Sequence, residues 1–185
     1  MNILGIADNH ASGATLVQDG RLVCAVNQER FDRVKNSGAF PYDAIEEVLK
    51  AAALSPKDID LVALASDITP SFILRLFKPW HFAVKKRSGQ FSILYNLYVI
   101  YQVGARFFFP PIYALDRWLS KCVVRRQLRK KGFRCDVKTV EHHDAHAYSV
   151  FLTSPFSKAT VITADAMGAS VGSYWKISSV GPSSP

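Results

Sequence analysis

The stretch NILGIADNHASGATLVQDGRLVCAVNQERF (residues 2–31) decides the fold. NILGIAD (2–8) is a short apolar run ending in an acid, the pattern of a buried strand. SGATLVQDG (12–20) is a second strand, closed by Asp19-Gly20, a strong hairpin signal. RLVCAVNQERF (21–31) returns as a third, so the chain opens with an antiparallel meander. Downstream, PYDAIEEVLKAAAL (41–54) places Pro41 at a helix start and Ile45, Val48, Leu49 and Ala52 on one helical face. DLVALAS (60–66) reads as a fourth, buried strand. CDVKTVEHH (135–143) reads as another strand, and AHAYSVFLTSPF (145–156) as a helix ended by Pro155.

ATVITADAMGASVGSYWKI (159–177) then repeats the opening: an apolar strand ending in Asp165, a glycine-bearing turn, and another strand. A duplicated sheet-plus-helix unit of this kind resembles the α/β fold of actin and sugar kinases. The expectation is an actin-like (ASKHA, ribonuclease H-like) mixed sheet with flanking helices. In that fold a phosphate-bearing ligand sits in the cleft between two halves. The first half is expected from residues 1–69 and 133–157, and the second to begin at 158–185. Since SYWKISSVGPSSP ends just after the second strand of the repeat, the second half is expected to be truncated.

The chain has 185 residues, 49% of them hydrophobic, and a formal charge of +8. That length and composition suit one globular domain with a proper core. Cys24, Cys122 and Cys135 are odd in number and widely spaced, so they make neither a CxxC pair nor a disulfide framework. MNILGIADNH carries no basic region followed by a long apolar core. A reducing cytoplasm is the expected compartment.

The charge is unevenly spread. Residues 75–134 hold 14 Lys and Arg against one acid, Asp116. Such a block attracts polyanions, anionic lipid or phosphorylated substrates, unless it is simply a solvated face or a dock for an acidic domain. Residues 70–132 are also rich in aromatics and are expected to form a helical insertion. Their longest charge-free run, Gln90–Ala105, has 16 residues, short of the roughly 20 a spanning helix needs. A helix packed on its own domain is the simpler reading, and peripheral contact with a membrane through residues 72–119 is the sharper one.

Three clusters could carry chemistry. In HHDAH (142–146), His142 and His146 lie one helical turn apart and could share a divalent metal, whereas His143 and Asp144 face elsewhere. Glu141 precedes the first histidine, so the HExxH arrangement of zinc proteases is not present. Two ligands do not close a site, and another carboxylate or water must complete it. In DNHASGA (8–14), Asp8 ends a strand, His10 sits in the turn, and Ser12 and Gly13 offer small groups for close approach to a ligand. A plain β-turn explains that composition equally well. In NQERFDRVKNSGAFP (27–41), Arg30, Arg33 and Lys35 adjoin a polar turn and suit an oxyanion. The bland alternative is a solvated loop in which Glu29 and Asp32 pair with the arginines.

Taken in order, GI-D-H-AS-A-LV-DG, then V-N-Q-E-R-F-R-V-K-G-FP, then EHH-AHA-S-F--SPF, then D-MG resemble the N-terminal half of the ATP-dependent O-carbamoyltransferases of antibiotic and nodulation-factor biosynthesis. The resemblance spans residues 1–66 and 135–177. It implies an actin-like domain followed by one that makes carbamoyl-adenylate from carbamoyl phosphate and ATP, the carbamoyl group then passing to a hydroxyl of a sugar or other natural product. By the same resemblance His142 and His146 would bind Fe(II), or Zn(II) or Mn(II), with an aspartate later in the protein. Asp8 and His10 would face the reacting groups, His10 as general base, and Lys35 would stabilise an oxyanion. Ser12, Arg33, Asp165 and Gly168 would contact substrate or nucleotide, Asp165 as the cleft acid of the second half.

The family's DGxGDG is DAMGAS here, with Ala166 and Ala169 in place of a glycine and an acid, which weakens the case for nucleotide or metal contacts in that loop. The partners implied are a small-molecule hydroxyl acceptor and the remaining C-terminal part of the enzyme, without which this chain would not complete the reaction. Two other readings fit the fold. One is a tRNA threonylcarbamoyl-adenosine synthase-like protein, whose phosphate-rich partner would suit the basic block, although QERFDRVK…FP favours the small-molecule enzymes and argues against nucleic acid. The other is a non-catalytic, truncated module.

Overall fold

The computed structural model describes residues 1–8, 11–65, 108–165 and 174–180. The chain forms two compact units, residues 1–139 and 140–185.

The first unit is built on the meander expected from the opening. β1 (Asn2–Ala7), β2 (Gly13–Gln18) and β3 (Arg21–Asn27) are antiparallel neighbours. Asp19 and Gly20 both take positive φ, 48° and 79°, the backbone of a tight two-residue hairpin turn that matches strand twist. β4 (Leu61–Leu64) and β5 (Asp136–Thr139) then add in parallel, giving the sheet order β3-β2-β1-β4-β5.

Register explains the core. Leu16, Leu4, Val62 and Val137 form one row across four strands, and Ala14, Ile6 and Leu64 form the next. All seven are buried, so one face of the sheet is apolar. Helix α1 (Glu29–Asp32) is a single turn, and α2 (Tyr42–Ala51) lays Ala44, Ile45, Val48 and Leu49 on the apolar face. Leu54 N–H donates to Leu49 O at 2.9 Å and Ala53 N–H to Lys50 O at 3.0 Å, the paired bonds of a Schellman stop. Ala53 takes φ 53° there, where glycine is usual.

Helix α3 (Pro110–Lys130) is 21 residues long. Its Val124 and Leu128, with Phe133 beyond it, belong to the same core cluster. The last third of the stretch expected as an insertion therefore helps build the first unit's core. Arg125 pairs with Asp136 on β5 at 3.3 Å, and Lys131 reaches Glu46 on α2 at 3.3 Å while lying 5.0 Å over the Tyr42 ring. Among the described residues no helix is long and apolar enough to cross a membrane.

In the second unit, α4 (His142–Leu152) is followed by β6 (Ala159–Asp165) and β7 (Tyr174–Val180). β6 and β7 pair antiparallel from Ala159↔Val180 to Asp165↔Tyr174, which is also the relation of β1 to β2.

Candidate functional site

Asp8 follows β1 directly and is 1% exposed, a carboxyl carried into the edge of the core by the strand before it. Ala11, just ahead of β2, takes φ 58°. Ser12, also 1% exposed, is fixed through its backbone: its N–H donates to Ser37 O at 2.8 Å, and its carbonyl accepts the Gln28 N–H at 2.9 Å. Its Oγ is buried without a hydrogen-bond partner among the described residues.

Gly13 comes next. A Cβ on it would stand 2.8 Å from Val26 O and 3.0 Å from Asn27 Oδ1. The close approach that requires glycine here is therefore made by β3, not by a ligand.

The Ser12–Ser37 bond joins two stretches that are far apart in sequence, the 8–14 turn and the cation-bearing 29–38 loop. That loop is held from within by its acids. Glu29 Oε2 accepts the Asn36 N–H at 2.9 Å, Asp32 Oδ1 accepts the Val34 N–H at 2.9 Å, and Asp32 Oδ2 accepts the Ser37 hydroxyl at 2.5 Å. The two carboxylates thus grip the loop rather than the arginines. Arg30, Arg33 and Lys35 are exposed, and none takes part in an ion pair among the described residues. Their charge is left available to an anion.

Five non-glycine residues have positive φ among the described residues, and three of them, Ala11 at 58°, Arg33 at 57° and Asn36 at 54°, bound these two joined loops. Each costs about 1 kcal/mol or more, and backbone strain of this kind gathers where function dictates geometry. Phe40, beside the loop, is 1% exposed and packs its ring 4.8 Å from that of Tyr42. It is core, worth about 1.5–3 kcal/mol of burial, whereas Phe31 is 38% exposed.

Gln28 organises the whole arrangement and was not singled out from sequence. It is fully buried. Its Nε2 donates to Asp43 Oδ2 at 2.5 Å, its Oε1 accepts the Ala44 N–H at 3.3 Å, and its carbonyl accepts the Phe31 and Asp32 N–H groups at 2.9 and 3.2 Å. One side chain therefore ties the loop to the first turn of α2. The only sequence sign was a polar residue at the end of a strand beside apolar neighbours, which does not announce burial.

The histidine cluster lies in the second unit. α4 begins at His142, earlier than the 145 expected, because Glu141 caps it: Glu141 Oε2 accepts the Asp144 N–H at 3.1 Å, and its carbonyl accepts the Ala145 N–H at 2.8 Å. His142 and His146 are thus both inside the helix and four residues apart, on one face. His146 is exposed and Ala147 is buried. Asp144 lies in the first turn, where its charge favours the helix dipole. Among the described residues no three His, Cys, Asp or Glu side chains gather to hold a metal. Histidines at i and i+4 of a helix are in general half of a divalent-metal ligand set, which needs further ligands from elsewhere. Asp165 ends β6, and His10 and Gly168 lie outside the described residues.

The chain is similar to protein sll1178 of Synechocystis, 32% identical over 179 residues, covering 90% of this chain and 26% of that protein. It is also similar to nodulation protein NolNO of Sinorhizobium fredii, 27% identical over 163 residues, covering 86% of this chain and 20% of that protein. It thus spans about a quarter or less of the length of these relatives. YeaZ from Pseudomonas aeruginosa superposes with a TM-score of 0.38 at 9% identity, over 98% of this chain and 70% of that one, a likeness too loose to bear on the fold. The profile of the carbamoyltransferase N-terminus aligns over residues 2–181, from the first residue of β1 to just past β7, and the protein belongs to that family.

Proposed function

We propose that this chain is the amino-terminal part of an O-carbamoyltransferase that moves a carbamoyl group, supplied by carbamoyl phosphate and activated with ATP as carbamoyl-adenylate, to a hydroxyl of a small molecule. The observation that carries the reading is the junction of the two loops at Ser12 and Ser37, with buried Asp8 in one stretch and exposed Arg33 and Lys35 in the other, neither cation in an ion pair among the described residues. Strand order supports the actin-like assignment: an antiparallel meander extended by two parallel strands is what the first half of such a domain requires. The β6–β7 pair fits the opening of a second half.

Attack of a hydroxyl on a carbamoyl carbonyl needs a proton acceptor and a positive group at the developing oxyanion. His10 is assigned the first task and Lys35 the second. Arg33, with its planar fork of donors, is assigned to phosphate oxygens. Ser12 Oγ is assigned to ligand contact, and Asp8, with His10, to the reacting hydroxyl and carbamoyl group. Asp165 and Gly168 serve the nucleotide from the second half, although the alanines at 166 and 169 leave that loop without the acid usual in the family. His142 and His146 would hold an iron or similar divalent ion with a ligand supplied by the rest of the protein. When bound, that ion supplies charge stabilisation for oxygen ligands.

The test is calorimetric titration of the 185-residue chain with carbamoyl phosphate and, separately, with ATP. Binding of carbamoyl phosphate that falls about tenfold or more in Lys35→Ala and Arg33→Ala supports the assignment, since each removes a charged hydrogen bond of about 1.5–3 kcal/mol. Unchanged affinity in both variants removes the assignment of Arg33 and Lys35.

A further inference from the structure

One face of α3 has no role in the core or in the loops near Ser12, and its composition is unusual. Leu115 is 54% exposed and Trp118 60%. Ile112 joins them at 46%. At 100° per residue, positions 112, 115, 118 and 122 fall on one side of the helix, opposite the buried stripe of Asp116, Ser120, Val124 and Leu128. Toward the carboxyl end the same outward side continues as Arg126, Arg129 and Lys130, all exposed. The one acid of the helix, Asp116, is buried on the other side, so the outward face carries cations and apolar groups with no negative charge to oppose them.

We propose that this face of α3 is a docking surface for an anionic lipid bilayer, with Ile112, Leu115 and Trp118 seated at the level of the headgroups and Arg126, Arg129 and Lys130 on lipid phosphates. Three large apolar side chains at 46–60% exposure lose water contact only when something apolar covers them, and the cations beside them favour a cover that is negatively charged. A bilayer surface of anionic lipid offers both together. An indole in the middle of the stripe suits the boundary between hydrocarbon and headgroup. A helix of 21 residues, about 31 Å long, is long enough for such contact and too charged to cross the membrane. Nucleic acid would engage the basic turns but leave the apolar ones without a partner. The inference goes beyond carbamoyl transfer and does not depend on it. It would place the catalytic unit beside acceptors that sit at a membrane surface.

Flotation of the 185-residue chain with vesicles tests it, using phosphatidylcholine mixed with phosphatidylserine and phosphatidylcholine alone. The mixed vesicles are expected to carry the chain upward, and rising salt to weaken the association. Leu115→Glu with Trp118→Glu is expected to lower partitioning about tenfold or more. Arg126→Glu with Arg129→Glu is expected to erase the preference for phosphatidylserine. All four residues are exposed, so an unchanged circular dichroism spectrum and urea midpoint separate these effects from unfolding. A fluorophore on exposed Cys122 reports the same contact by a blue shift. Absence of flotation overturns the proposal, and so does flotation that ignores the Leu115 and Trp118 substitutions. Self-association at rising concentration without flotation assigns the face to a second copy, and tight RNA binding without flotation assigns it to nucleic acid. Either result overturns the lipid assignment.

Discussion

Replacing Gln28 by Ala should unfasten the loop that carries Arg33 and Lys35 from the helix that follows it. The wild-type side chain is fully buried and makes two bonds, to Asp43 Oδ2 at 2.5 Å and from the Ala44 N–H at 3.3 Å. The bond to a carboxylate is worth about 1.5–3 kcal/mol. The Ala44 amide, left buried without an acceptor, adds roughly 1 kcal/mol because its bond is already long. The cavity left by the removed atoms adds about as much again. The backbone bonds of Gln28 survive the change, so the sum is about 3–5 kcal/mol. Urea unfolding with an unchanged slope measures it directly, and a thermal midpoint would drop by roughly 6–20 °C. A double-mutant cycle with Asp43→Ala should show a coupling of about 1.5 kcal/mol. A loss below about 1 kcal/mol with no coupling would mean that Gln28 is not the tie between loop and helix, and the account of the site's rigidity would have to be abandoned.

Gly13→Ala would push a Cβ to 2.8 Å from the Val26 carbonyl, a backbone atom that cannot swing away, and should cost about 1–3 kcal/mol in the same urea assay. Ala53→Gly, at φ 53° in the stop of α2, should raise stability by about 0.5–1 kcal/mol, because glycine takes that conformation without steric cost. The Asp58 carboxyl is held below its usual range first by the Ser55 hydroxyl and then by the Ser55 backbone N–H. A depressed acid stabilises the fold above its unfolded pKa and loses that contribution as pH falls through the folded value. Asp58→Asn should therefore flatten the acid limb of a stability profile below about pH 4 and leave its shape near neutrality unchanged. Metal content after loading with Fe(II) or Zn(II) should fall in His142→Ala and His146→Ala and persist in His143→Ala; equal loss in all three would remove the paired-ligand assignment. Burial pushes the Cys24 and Cys135 thiols up, so a maleimide should label exposed Cys122 first, and equal rates at all three would contradict the packing of β3 and β5.

Local physics made much of this protein legible before any coordinates. Strand alternation in 2–27, positive φ demanded by Asp19-Gly20, and the helical period of Ile45, Val48 and Leu49 are short-range properties, each decided within a few residues of chain. The four motifs that resemble carbamoyltransferases were likewise readable in order. Tertiary structure decided what depends on which distant backbone comes near. It joined Ser12 to Ser37, buried Gln28 against Asp43, and turned Glu29 and Asp32 inward onto Asn36, Val34 and Ser37 rather than toward the arginines. It also showed that Gly13 is small for the sake of β3, and that Glu141 starts α4 ahead of the histidines. A polar side chain has no periodicity to reveal its partner. Whether it faces water, a carboxylate or a backbone amide is settled only when desolvation and hydrogen bonding compete inside the folded chain.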